Sequence, residues 1–222
     1  MGQLPSARVR PSKAFLHTGI DYAGPVTLKT FQGRGTKTYK GWIAVFVCLA
    51  TSAIHIEIVT HYSTDAFVTA FTRFTSRRSA CSILYSDCGT HFVGADATLK
   101  KEFAAGSRQL KEQYLLTTDG TDWKFNPPSA PHFGGKWEVA VKSIMFHLIQ
   151  TIRESLLTYD QLATVLTQIE AMLNSRPIAP LSEDPANLTT LTPGHFLIGK
   201  PLIAVPGPSL LENNLASLSR WQ

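Results

Sequence analysis

Residues 81–94, CSILYSDCGTHFVG, decide how the rest of the chain is read. Ile83, Leu84 and Tyr85 form a short apolar run of strand type that stops at Ser86-Asp87-Cys88-Gly89. A carboxylate at the end of a buried strand, followed by a glycine turn, is held rigidly at the rim of a sheet. Hard divalent cations need oxygen ligands on such a stiff support, so Asp87 is a candidate metal ligand. The rival reading is that Asp87 only opens the turn, an ordinary task for Asp before Gly. Alone, the turn reading is favoured; two further carboxylates in matching contexts change the balance.

The composition bounds the answer. The chain has 222 residues, 44% hydrophobic and 17% charged, enough for one globular domain with a sizeable core. A formal charge of +5 leans towards an anionic partner, nucleic acid first, though no long Lys/Arg tract reinforces it. Cys48, Cys81 and Cys88 are odd in number and lack CxxC spacing, which argues against a disulfide framework or a Cys-rich zinc site. The most apolar stretch, Trp42 to Ala50, is too short to span a bilayer. With a polar, proline-containing start and no signal-peptide pattern, the chain reads as an intracellular protein without a membrane partner.

In chain order, residues 1–12 read as a linker or arm. From Phe15 a strand carries Asp21 between Ile20 and Tyr22, where an unpartnered carboxylate is costly to bury, and Gly24-Pro25 breaks or bends it. Residues 31–38 read as a basic hairpin loop, and Tyr39 to Ala50 as a strand buried on both faces. Ala53 to Thr60 alternates as a half-covered strand, with His55 and Glu57 on the solvated face. Ser63-Thr64-Asp65 caps a helix whose core stripe is Phe67, Ala70, Phe71 and Phe74, closed by Arg77-Arg78. A second helical region covers 95–116 with Gly106 interrupting it. Asp119 and Asp122 read as turn residues, and Trp123 to Phe125 as a short strand.

A loop of prolines and glycines, 126–135, then runs into a long helix from Lys136 to about Leu157, striped by Trp137, Val141, Ile144, Leu148, Ile152 and Leu156. Glu138 lies in its first turn with Lys142 four residues on, a spacing that also suits a plain surface ion pair. A third helix spans Tyr159 to Asn174, and the proline-rich remainder reads as extended and peripheral. Helix and strand alternate as in a mixed α/β sheet.

Three carboxylates therefore stand out: Asp21 in GIDYAGP, Asp87 in SDCGTHF and Glu138 in GGKWE. Their order and flanking residues resemble the D-D-E triad of retroviral-type integrase catalytic cores. With LNSRPI at 173–178 and LTPGHFLIG at 191–199, the chain looks most like the Bel-Pao group of LTR retrotransposons. The resemblance implies an RNase H-like α/β fold, a mixed five-stranded sheet flanked by helices. It divides the chain into an arm (1–12), a catalytic core (13–178) and a proline-rich, truncated trailing segment (179–222).

It also implies DNA integration by phosphoryl transfer, trimming a 3′ end and joining it to target DNA. Two Mg²⁺ or Mn²⁺ ions, about 3.5–4 Å apart in enzymes of this kind, would lie between the acids, Asp21 bridging both. By resemblance Lys142 touches the DNA end, with Lys136, Ser129 and His132 as further candidate DNA contacts. The implied partners are retroelement and target DNA and further copies of the chain, and the implied place of action is the nucleus.

The sequence departs from the family in three ways. Fifty residues lie between Asp87 and Glu138, a long gap, and Cys88 stands where Asn is usual. No His/Cys constellation precedes Phe15, and a C-terminal DNA-binding module is missing, so a fragment or a decayed or domesticated copy is expected. Two rivals follow: a binding domain that has lost its chemistry, and a nuclease that only hydrolyses.

Overall fold

A computed structural model of the chain describes residues 5–33, 35–110, 121–126, 134–184 and 189–202, with backbone alone for 102–110. Strands β1 (His17–Lys29), β2 (Thr38–Cys48) and β3 (Ile54–Val59) form an antiparallel meander. Strands β4 (Ile83–Ser86) and β5 (Asp122–Phe125) continue the sheet parallel to β1, giving the order β3-β2-β1-β4-β5. The mixed five-stranded sheet is the RNase H-like arrangement. A two-residue strand, β6 (Leu157–Thr158), adds to it by pairing with Leu28 and Lys29 of β1. β1 continues past Gly24-Pro25 through a bulge between Ala23 and Val26, where proline's missing N–H leaves no gap in the ladder.

Strand alternation sorts β2 into two cores. Ile43, Val45 and Val47 face helices α4 (Gly135–Ile152) and α5 (Tyr159–Asn174). Ala44, Phe46 and Cys48 face α2 (Thr64–Arg78) and α3 (Thr90–Leu110). A strand covered on both sides has no polar face to show, which is why this stretch is apolar throughout. Ser63 caps α2, its side chain accepting from Ala66 N at 3.3 Å, and Phe67, Ala70, Phe71 and Phe74 are its buried stripe.

Several expectations are corrected. α3 begins at Thr90, directly after the Gly89 turn, and runs through Gly106 without a break. A single interior glycine costs only about 1 kcal/mol against alanine, too little to end a helix by itself. Asp122 opens β5 instead of sitting in a turn; Asp119 lies outside the described residues. α4 ends at Ile152, before Arg153 at φ 48°, so Leu156 falls outside the helix and is exposed, while Leu157 is buried as part of β6. The residues after 177 are not wholly extended: β7 (Ala179–Pro180) and β8 (Thr190–Leu191) pair, and α6 (Pro193–Ile198) follows. At the other end, α1 (Ser6–Val9) makes one turn and buries Ala7 against the α4/α5 core.

The largest correction concerns β3, every residue of which is buried. α5 covers Ile54, Ile56 and Ile58, and α2 covers the His55/Glu57 face, where Arg73 and Arg77 reach Glu57 and Arg78 reaches Glu170. Four of the outward backbone groups of β3 are taken by side chains. Asn174 accepts from Ile54 N and donates to Ile54 O, both at 2.8 Å, and Glu170 accepts from Ile56 N at 2.9 Å. Arg73 donates to Ile58 O at 2.9 Å. Asn174 is fully buried, so Asn174→Ala strands one donor and one acceptor of Ile54. It should lower stability by about 1–3 kcal/mol, read as a drop in the urea midpoint with unchanged slope.

Candidate active site

Strand register brings the first two carboxylates near each other. β1 and β4 run parallel with His17 opposite Ile83, Thr18 opposite Leu84 and Gly19 opposite Tyr85. Asp21 lies two residues beyond Gly19 and Asp87 two beyond Tyr85. Asp87, one residue past the end of β4, lies close enough for its charge to act on Asp21. Period-2 alternation aims Asp21 where Gly19 faces. That is the α4 side, because a Cβ on Gly19 would overlap the Trp137 indole. The missing side chain lets the first turn of α4 lie against β1, and Glu138, next to Trp137, arrives beside the aspartates. The Glu138 carboxylate folds back over the helix start, with Oε1 2.6 Å from where a Gly134 Cβ would be. Gly19→Ala should therefore cost about 1–3 kcal/mol by overpacking and displace Glu138 with the helix. A lowered Tm together with lost activity would show it; a variant with unchanged Tm would refute the close approach.

The three acids act on one another electrically. Burial raises the Asp21 carboxyl to about 6; the Tyr22 N–H, donating to Asp21 Oδ1 at 2.7 Å, opposes this, and the charges of Asp87 and Glu138 add to the rise. Asp87 Oδ1 accepts from Gly89 N at 3.2 Å. Among the described residues none of the three has a basic ion-pair partner. A half-buried carboxylate facing two others without a counter-charge is a donor set suited to a hard cation. The acids share one region without closing on a point: among the described residues, no three His, Cys, Asp or Glu side chains gather tightly enough to hold one ion.

The other predicted contacts scatter. Lys142 stands exposed one turn after Glu138, and the i,i+4 ion pair between them is not formed. Lys136 turns away, its Nζ donating to the Leu49 carbonyl. Ser129 and His132 lie outside the described residues. Cys88 is exposed, its Sγ donating to Asn126 O at 3.1 Å, and so ties the Asp87 turn to the end of β5.

Sequence reasoning missed an aromatic wall beside the aspartates. Tyr22 stacks on His91 at 4.9 Å and on Phe92 at 5.3 Å, and Tyr62 meets His91 at 4.3 Å. Tyr62 is half-exposed, its hydroxyl held high by burial and then by Asp87 and Asp21. The Tyr22 hydroxyl and both His91 ring nitrogens are buried without a hydrogen-bond partner among the described residues. Tyr22 flanks Asp21 and His91 follows Asp87 by four, which was visible; nothing marked Tyr62.

No family model matches the chain, and no curated protein matches it. Register, layers and helix placement define an RNase H-like mixed α/β domain. Among solved structures the chain is similar, at 13% identity and TM-score 0.57, to a chain of the simian T-cell lymphotropic virus intasome in complex with PP2A regulatory subunit B56 gamma. The match covers 94% of this chain and 64% of that one, less than two thirds of its length. No helix of the described residues is long and apolar enough to cross a membrane.

Proposed function

We propose that this domain is the catalytic core of a retroelement integrase of Bel-Pao type, a DDE polynucleotidyl transferase that trims 3′ DNA ends and joins them to target DNA in the nucleus. One observation carries the reading: Asp21 on β1 and Asp87 just past the end of the parallel β4, with Glu138 brought beside them by Trp137 on Gly19. The likeness to a viral intasome chain supports it at the level of fold, and DNA and further copies of the chain are the partners it suggests.

Asp21, Asp87 and Glu138 would hold two Mg²⁺ or Mn²⁺ ions. When bound, such ions activate the attacking oxygen and stabilise the charge developing on the leaving one. The chain's own residues do the rest. Asp21 holds its proton up to about pH 6 and must release it to serve as a ligand. The hydrogen bonds from Tyr22 N and Gly89 N fix one oxygen of each aspartate and leave the other open. Lys142 offers an exposed charge for a DNA phosphate one turn from Glu138, which positions the strand without reading its sequence.

The test is strand joining of duplex oligonucleotides with and without Mg²⁺, with Asp87→Asn as control. Metal-dependent products from the wild type alone are expected. The looseness of the three acids favours a second reading, a domain that binds DNA without chemistry. DNA binding with no metal-dependent product would select it, and nicking without joining would select a hydrolytic nuclease.

A further inference from the structure

On the far side of α4's first turns a recess of about 240 Å³ opens between that helix, the turn joining β2 to β3 and the end of α5. Val47, Val139 and Ala140 supply apolar walls, and Ser52, Gly135, Lys136 and Arg176 line the remainder; among the described residues no acidic side chain does. Its α4 residues, Gly135, Lys136, Val139 and Ala140, share a face of the helix different from that of Glu138, and Val47 pairs with Gly19, two residues before Asp21 and roughly 7 Å back along β1.

Its two cations are half-buried and poorly compensated. Lys136 Nζ donates to the Leu49 carbonyl and Arg176 Nη2 to the Ser52 carbonyl at 2.8 Å, so both lean on one turn. Neither has an ion-pair partner among the described residues. Burial lowers the Arg176 pKa. Buried charge is costly unless paired, and carbonyl dipoles answer only part of it.

We propose that this recess is a phosphate-binding site, with Arg176 and Lys136 as the ligating cations. A guanidinium fork beside an ammonium suits tetrahedral oxyanions, and a phosphate brings the negative charge that the lining lacks. The volume falls below the roughly 300 Å³ at which pockets for drug-sized molecules begin, so the occupant is one phosphate group. It is either a free phosphate or one phosphate of a DNA backbone. The site does not depend on the catalytic reading.

Thermal unfolding of the whole chain in inorganic phosphate, against chloride at equal ionic strength, tests it. Phosphate stabilises many proteins by exclusion from their surface, so the comparison between variants decides. Wild type and the exposed control Lys40→Gln should show the same saturable rise in Tm. Val139→Glu, which sets a carboxylate on the rim at a residue 60% exposed, should lose it without breaking either carbonyl bond. Arg176→Gln should lose it also. Duplex binding followed against salt separates the sources. If DNA supplies the phosphate, Val139→Glu weakens binding and lowers the salt slope by about 1. If the phosphate is free, DNA binding is unchanged and only the Tm response disappears. Equal responses to phosphate in all four proteins, with equal salt slopes, would overturn the site.

Discussion

An Asp21→Asn protein will be inert in strand joining and yet more heat-resistant than the wild type at pH 8. The gain follows from the raised carboxyl, at about 6 against an ordinary 3.8. Below the ordinary value both folded and unfolded chains are protonated and nothing is lost. As pH rises, the unfolded chain ionises first, and stability drains away until the folded group also ionises near 6. Above that the penalty is constant. About two units at 1.36 kcal/mol each give about 3 kcal/mol before solvent screening trims it.

Asn carries no such penalty, so the two melting curves should coincide near pH 3.5 and separate above pH 6. Mg²⁺ or Mn²⁺ should raise the wild-type Tm at pH 8 and leave that of Asp21→Asn nearly unchanged. The loss of activity should reach at least about 10³-fold, since metal charge stabilisation is worth several kcal/mol and each 1.36 kcal/mol is tenfold. An Asn variant no more stable than wild type at pH 8 would mean that a cationic partner already compensates Asp21.

The second large effect lies on the opposite face. Glu57, 5% exposed, receives Arg73 Nε at 2.6 Å, Arg77 Nη1 at 2.9 Å and a His55 Nε2 contact at 3.0 Å. Removing one partner of a buried pair costs about 3–5 kcal/mol; Arg77 is mostly exposed and can rehydrate, which favours the lower end. Glu57→Gln should thus lose about 3 kcal/mol, a fall of about 6–12 °C in Tm for a domain of this size.

Burial alone would raise Glu57, but the His55 and Arg73 hydrogen bonds outweigh it and hold it low; His55 does the same for Glu170. For His55, burial acts downward and the Glu170 and Glu57 bonds win, so its pKa is raised. The signs set a window. The glutamates stabilise above their ordinary 4.5 and lose this as pH falls through their lowered values. His55 contributes below 6.5 and loses this as pH rises through its raised value. In the Asp21→Asn background, where the Asp21 penalty is absent, urea midpoints should peak between these limits and lose much of the acid-side fall when Glu57→Gln is added. His55 Nδ1 is contested, since Arg78 Nε at 3.3 Å needs it bare and Glu170 Oε2 at 3.6 Å favours a proton on it. Protonation therefore exchanges one neighbour for the other.

Much of this was legible. β2 announces itself by an apolar run too long for a half-covered strand, α2 by its Ser63 cap and phenylalanine stripe, and α5 by its limits at Tyr159 and Asn174. Asp21 was readable as a carboxylate inside a strand that partly buries it, and Asp87 as one in the turn just past a strand end. The parallel register of the two strands explains why they come near each other. Glu138 was not readable from its own surroundings, because what brings it in is the missing side chain of Gly19, more than a hundred residues away. Alternation misled at His55 and Glu57 for a similar reason. Polar residues at every second position signal solvent unless arginines from another element cover them, and those arginines lie on α2. The α4 stripe overran because Leu156 keeps helical spacing after Ile152, although it lies beyond the end of the helix and is exposed.

The bonds that Asn174, Glu170 and Arg73 make to Ile54, Ile56 and Ile58 have a consequence for assembly. A bare margin of a sheet is a template on which another chain can grow, and here side chains from two helices occupy much of that margin. Copies of this protein that associate on that flank must do so through helix or loop surfaces. A chain cut short before Glu170 would leave Ile54 N and O and Ile56 N without these partners.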